Sequence, residues 1–228
     1  MRLYLGIVST NNKNKLTMQH ILVISPHPDD ESIGCGGTIC THAAAGDKVE
    51  LIVLTSGEKG GHGNSEDETI IIREEEAAAA AAILGIANIE FWKQPDGEFN
   101  STDENVNRLV EKIKYYHPSI IYVTHDKEMH PDHKAAARLV ATALKSAALP
   151  GVKPIVWMYE VWTPIQQINH IVDISDHIDL KRMAIRAHAS QCSVLKFDEA
   201  IIGLNRYRGE MHCWPGGDYA EVFTSPLL

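Results

Sequence analysis

The stretch Ile21-Leu22-Val23-Ile24-Ser25-Pro26-His27-Pro28-Asp29-Asp30-Glu31, followed by Gly34-Cys35-Gly36-Gly37, decides the reading of this chain. Its apolar run stops abruptly at two prolines. That pattern marks a buried strand emptying into a loop, because Pro28 fixes its own φ and pushes His27 toward extended geometry. His27, Asp29 and Asp30 therefore gather at the C-terminal end of a strand, the edge of an open α/β sheet where ligand sites form. One imidazole and two carboxylates within four residues suit a hard or borderline divalent metal, with one acid left for proton transfer.

Outward from this stretch the chain alternates strand and helix. Gly34 to Ala45 carries small, helix-compatible residues and ends at Gly46, a natural C-cap. Lys48 to Thr55 is a second apolar strand, and a helical crossover between two strands implies parallel pairing. Ser56 to Glu68 is a glycine-rich, charged loop. Thr69 to Leu84 is an alanine-rich helix closed by Gly85. A short strand over Asn88 to Trp92, a helix over Thr102 to Tyr116, a strand over Ser119 to Thr124 and a helix over His133 to Ala148 continue the order. This predicts a single-domain α/β fold: a Rossmann-like, doubly wound, mostly parallel sheet with helices on both faces. Beyond it, Ile155 to Val161 reads as a strand and Ile171 to Ile174 as a short extra one. Ser175 or Asp176 is placed to cap a helix running to about Ser190. Tyr207 to Phe223, rich in glycine and aromatics, reads as irregular.

The 228 residues fit one domain, which we place at residues 18–228 behind an N-terminal extension of residues 1–17. Met18 offers an alternative start. The formal charge of -9 provides no basic field for nucleic acid or anionic membrane, and Leu3 to Val8 is too short to span one. Four cysteines without a CxxC pair argue against a zinc ribbon or a disulfide scaffold and favour a reduced, cytoplasmic setting.

A second constellation, His125 to His133 (HDKEMHPDH), follows the strand ending at Thr124 and opens a helix. Two such loops meet in a sheet at a topological switch point. Together they offer His27, Asp30 and His133 as three ligands with an open position for water, as catalytic zinc requires. Asp29 is then the candidate base and His130 the donor to a developing oxyanion. The bland rivals are plain: a lone histidine is more often a surface or core residue, so His42, His62, His117, His170, His177 and His212 are given no role. Helix capping accounts for one of Asp29 and Asp30, but not for two acids with an upstream histidine and a matching distal loop. A dinucleotide loop fails because Ile39 stands where GxGxxG needs glycine, and neither HExxH nor GxSxG occurs.

HPDDESIGCGG and HPDH, with TSGEKGG (55–61), Arg73-x-x-Glu76, Leu84-Gly85, Asp96-Gly97, His188-Ala189-Ser190-Gln191 and Tyr219 to Phe223, resemble the PIG-L/LmbE family of zinc-dependent N-acetylglucosaminyl deacetylases. The resemblance covers about residues 20 to 223. It implies Zn2+, or another first-row divalent ion, on His27, Asp30 and His133, with Asp29 as general base. It further implies that a protonated His130 stabilises the oxyanion, that Asp132 supports His130, and that Arg73 and Asp96 contact sugar hydroxyls. His125 to Met129 differs from the aromatic or proline-bearing versions of some relatives, a difference that bears on acyl and sugar preference. The expected substrate is a small N-acetylated amino sugar or its conjugate, and relatives of this kind often form homo-oligomers. The rival functions are an amidohydrolase of another N-acyl compound, such as an antibiotic or thiol precursor, and a non-catalytic sugar-binding protein.

Overall fold

A computed structural model of the chain describes residues 18–146, 149, 151–212 and 217–226. The expected extension of residues 1–17 lies outside the described residues. The elements are β1 (His20–Ser25), α1 (Asp30–Ala44), β2 (Lys48–Thr55), α2 (Glu66–Leu84), β3 (Asn88–Gln94), α3 (Asp103–Tyr116), β4 (Ile120–Thr124) and α4 (Pro131–Leu144). They continue with β5 (Ile155–Tyr159), β6 (His170–Asp173), α5 (Ile178–Ala187), α6 (Ala189–Cys192), α7 (Phe197–His212) and β7 (Ala220–Thr224). The sheet order is β3-β2-β1-β4-β5-β7-β6. The first five strands pair in parallel, and β7 runs antiparallel to both β5 and β6. The strand order reverses between β1 and β4, so the loops leaving those two strands face each other, as the two histidine motifs require.

Strand alternation sorts the core into two layers. Leu22, Ile24, Ile52, Leu54, Ile121 and Val123 pack against α3 and α4 through Leu109, Ile113, Ala136 and Leu139. Ile21, Val23, Val49, Leu51 and Val53 face the other way, onto Ile39, Ala80, Leu84 and Ile185. Each fully buried aliphatic side chain contributes about 1.5–3 kcal/mol, so β1, apolar on both faces, anchors the sheet centre. The helix starts are locally encoded. Ser65 and Glu68 form a reciprocal capping box on α2, and Thr102 caps α3. The glycine cluster serves close packing: a Cβ at Gly34 would lie 2.1 Å from the Tyr159 ring, so α1 settles onto β5 only without a side chain there.

Three expectations need correction. The first helix begins at Asp30 rather than Gly34, with a kink at Cys35. The stretch Tyr207 to Phe223, expected to be irregular, includes the end of α7 and most of β7, while residues 213–216 lie outside the described residues. The helix expected from Ser175 to Ser190 is instead a 3-10 turn at Ser175–His177 followed by α5 and α6. Polar residues occupy the buried face of α7, where Asn205 donates to Ala220 O and Arg208 clamps Glu160, so no apolar period marks the helix. No helix among the described residues is long and apolar enough to cross a membrane.

Candidate metal centre and active site

Three of the expected ligand atoms form a closed triangle. His27 Nδ1 lies 3.0 Å from Asp30 Oδ2, His133 Nε2 lies 3.2 Å from the same oxygen, and the two nitrogens are 3.2 Å apart. Four ligands around zinc at 2.0–2.1 Å stand about 3.3 Å from one another, so this triangle has the size of one face of such a tetrahedron. The residues present therefore fit a divalent metal. His130 also offers a ring nitrogen within 4.8 Å of those of His27 and His133.

The loop that builds the first half of the site is held from several sides. Thr55 N and Oγ1 both donate to Pro26 O, and Tyr159 OH donates to Ile24 O. The Ser25 hydroxyl sits 2.8 Å from His27 O and 2.9 Å from the buried Glu31 carboxylate. Asp29 then takes a φ of 131°. An L-residue in that region costs on the order of 1–3 kcal/mol, a strain typical of functional sites. The strain is offset by Arg73, which donates to Pro28 O at 2.7 Å, Gly57 O at 2.9 Å and Asp29 Oδ2 at 3.1 Å. Arg73 is only 5% exposed, so its guanidinium holds the Asp29 turn, a demand that the sugar-contact role did not anticipate.

Asp96 and Asp132 both reach the far side of the His27 ring, their oxygens lying 3.1 and 3.2 Å from Nε2. Asp96 Oδ2 also accepts from Lys59 N, and the Asp132 carboxylate accepts from Gly97 N and Phe99 N. A carboxylate behind a ligating imidazole fixes its tautomer and its aim. Asp132 was expected to support His130. Its carboxylate also reaches His27, its charge favours a protonated His130, and its backbone N–H donates to His130 Nδ1. That contact makes His130 the N-cap of α4 and leaves its Nε2 as the N–H donor.

The electrostatics describe a buried acidic cluster that favours positive charge on its imidazoles. Burial alone would depress His27, but Asp132, Asp30 and Asp96 outweigh it and hold the ring well above its usual pKa. Burial likewise opposes a charged His133, yet Asp30 and Glu128 raise it to about 9. Burial also works against ionised Asp30, and is overcome by His133 and His27, which hold the carboxyl well below its usual range. A metal ion competes for the nitrogens that these protons would occupy. Burial pushes Asp29 up to about 7 despite the nearby Arg73 charge. His130 is held below its usual pKa by burial and by His27 and His133. Both influences work against the imidazolium expected at His130, while the Asp132 and Asp30 charges favour it.

Sequence reasoning missed the buried acids Glu31 and Glu128, although both lie within the two motifs that carry the ligands. An apolar hollow of about 400 Å³ is lined by Ile33, at the start of α1, and by Val161 and Trp162 just past β5.

Two imidazoles and a carboxylate, with a further acid beside them at a switch point of a parallel sheet, define the class of metal-dependent hydrolytic sites. Comparison with known proteins narrows this class. Residues 22–144 match the family model described as PIG-L, GlcNAc-PI de-N-acetylase. A diacetylchitobiose deacetylase of Thermococcus kodakarensis is 34% identical over 192 residues, covering 76% of this chain and 70% of that relative. The structure of N,N'-diacetylchitobiose deacetylase from Pyrococcus horikoshii superposes with a TM-score of 0.80 at 27% identity, over 90% of this chain and 83% of that one. GalB, the 4-carboxy-2-hydroxymuconate hydratase of Pseudomonas putida, superposes at 0.81 with 25% identity, over 92% and 97% of the two chains. The chain belongs to the PIG-L family.

Proposed function

We propose that this protein hydrolyses the N-acetyl amide of an N-acetylglucosamine-type sugar or conjugate, with zinc held by His27, Asp30 and His133. The observation that carries the reading is the 3.0–3.2 Å triangle of His27 Nδ1, Asp30 Oδ2 and His133 Nε2, with Asp29 beside it on a strained turn. When bound, the ion supplies a Lewis acid and makes a water acidic enough to attack near neutral pH. Asp29 accepts the proton of that water and returns it to the leaving nitrogen, so the products are acetate and a free amine. His130 donates its Nε2–H to the oxyanion of the tetrahedral intermediate, a contact whose loss typically costs about 100-fold or more. Asp132 and Asp96 steady His27, and Arg73 steadies Asp29. Contacts of Arg73 and Asp96 with sugar hydroxyls rest on the family resemblance alone.

The GalB likeness matters because one fold hosts several chemistries. Zinc-loaded protein should release acetate from at least one of N-acetylglucosamine, N,N'-diacetylchitobiose and a GlcNAc–inositol conjugate. Turnover of 4-carboxy-2-hydroxymuconate with no acetate from any amide would overturn the reading. Sugar binding without turnover of either kind would leave only a non-catalytic relative.

A further inference from the structure

Glu128 is fully buried between the metal centre and the loop that follows β5. Its Oε1 accepts from three consecutive amides, Val161 N at 2.7 Å, Trp162 N at 3.0 Å and Thr163 N at 3.2 Å. Its Oε2 is 3.2 Å from Thr163 N and 3.7 Å from His133 Nδ1. That Nδ1 is buried and has no hydrogen-bond partner, although a ligating histidine ordinarily donates its second N–H to a carboxylate or carbonyl. The neighbouring His125 has its Nε2 3.5 Å from the other oxygen, Glu128 Oε1, and is engaged elsewhere. Its Nδ1 accepts from Lys127 N, and its Nε2 donates to Thr163 O at 2.7 Å. Among the described residues, the acid aimed at the back of His133 is thus the one that also ties down residues 161–163, and Trp162 of that loop forms a wall of the apolar hollow.

We propose that Glu128 is a positioning residue that fixes His133 with Nδ1–H toward its carboxylate and Nε2 toward the metal, coupling that ligand to the Trp162 loop. The inference rests on the metal-site reading above. Closure of about half an ångström brings the 3.7 Å approach within hydrogen-bond range.

Glu128→Gln tests the inference because the amide has nearly the same shape but opposite polarity at one end. With its oxygen on the three loop amides, its NH2 faces His133 Nδ1 and favours the tautomer whose Nε2 carries the proton and cannot ligate. The expected result is a 10- to 100-fold loss of zinc affinity, roughly what removing such a partner costs, measured by chelator competition on folded protein. The visible spectrum of the cobalt-substituted variant should change as well. A folded variant with parental zinc affinity and an unchanged cobalt spectrum would overturn the proposal, whereas a parent that binds no zinc would instead overturn the metal-site reading. If the variant does not fold, hydrogen exchange on the parent decides: zinc should slow exchange of the Val161, Trp162 and Thr163 amides, and no change there would refute the coupling.

Discussion

Replacing Asp29 by asparagine separates the chemistry of the acid from its place in the fold. The amide retains an oxygen where Oδ2 now accepts from Arg73 Nη2 at 3.1 Å, and asparagine, like aspartate, is enriched at positive φ. D29N should therefore fold with the triangle of His27, Asp30 and His133 intact. It loses the proton acceptor, which lowers kcat/KM by about 100- to 10,000-fold, equivalent to about 3–5 kcal/mol of barrier. Stability moves the other way. Burial raises the Asp29 carboxyl from 3.8 to about 7 in the fold, so the folded chain binds more protons than the unfolded chain between those values. The carboxyl therefore destabilises the fold progressively as pH rises through that window. At pH 8 without metal, D29N should be more stable than the parent, by at most about 4 kcal/mol. Acetate release, metal per chain by elemental analysis and urea unfolding are the three assays. Loss of metal together with activity would make Asp29 a ligand. Activity within tenfold of the parent would remove it as the base, and no gain in stability at pH 8 would refute the argument from burial.

Other outcomes follow from other parts of the fold. Glu221 is buried against Lys181 Nζ at 2.6 Å and accepts from Gly37 N and Thr38 N. Glu221→Ala strands a buried ammonium and should cost about 3–5 kcal/mol in chemical unfolding, and a loss below about 1 kcal/mol would show that Lys181 finds water. Burial lowers His188 to about 3, so the unfolded chain binds the extra proton between that value and 6.5. Its contribution to stability is thus complete above pH 6.5 and falls by about 1.4 kcal/mol per pH unit below it. His188→Gln should flatten the dependence of the urea midpoint on pH between 6.5 and 4, and equal slopes would contradict this. Chelation should abolish acetate release and lower Tm, since ion at 100 times its Kd stabilises by about 2.7 kcal/mol, and added zinc should restore both. Chelator-resistant turnover would exclude a role for the ion.

The parts of this architecture legible in the sequence are those that local physics dictates. Ile21 to Ile24 had to be buried on both faces, Gly85 had to end a helix, and two proline-bearing acidic loops at strand ends had to bring His27, Asp30 and His133 within reach of one another. The parts that were not legible depend on partners distant in the chain. Asp132 reaches His27 as well as its neighbour His130 because Gly97 N and Phe99 N, from a different loop, hold its carboxylate. The Arg73-x-x-Glu76 and His188-Ala189-Ser190-Gln191 motifs, both quoted for the family resemblance, are structurally complementary. Glu76 accepts from Ser190 N and Oγ at 2.7 Å, and Gln191 donates to Gly60 O. Much of what the family motifs spell is scaffold that holds the loops around the chemistry.

Because β1 and β4 are neighbours in the sheet but about a hundred residues apart in the chain, the ribosome delivers the two halves of the metal centre at different times. At about 5–20 residues per second, the emerging chain presents His27 and Asp30 for several seconds or more before His133 exists. During that interval no three-ligand cage is available, and an ion meets only a loose pair. Metal capture therefore coincides with insertion of β4 beside β1, a non-local pairing of the slow kind. Stable zinc retention by stalled nascent chains of increasing length should appear only once α4 has emerged, so metallation doubles as a checkpoint on the sheet having closed in the right order.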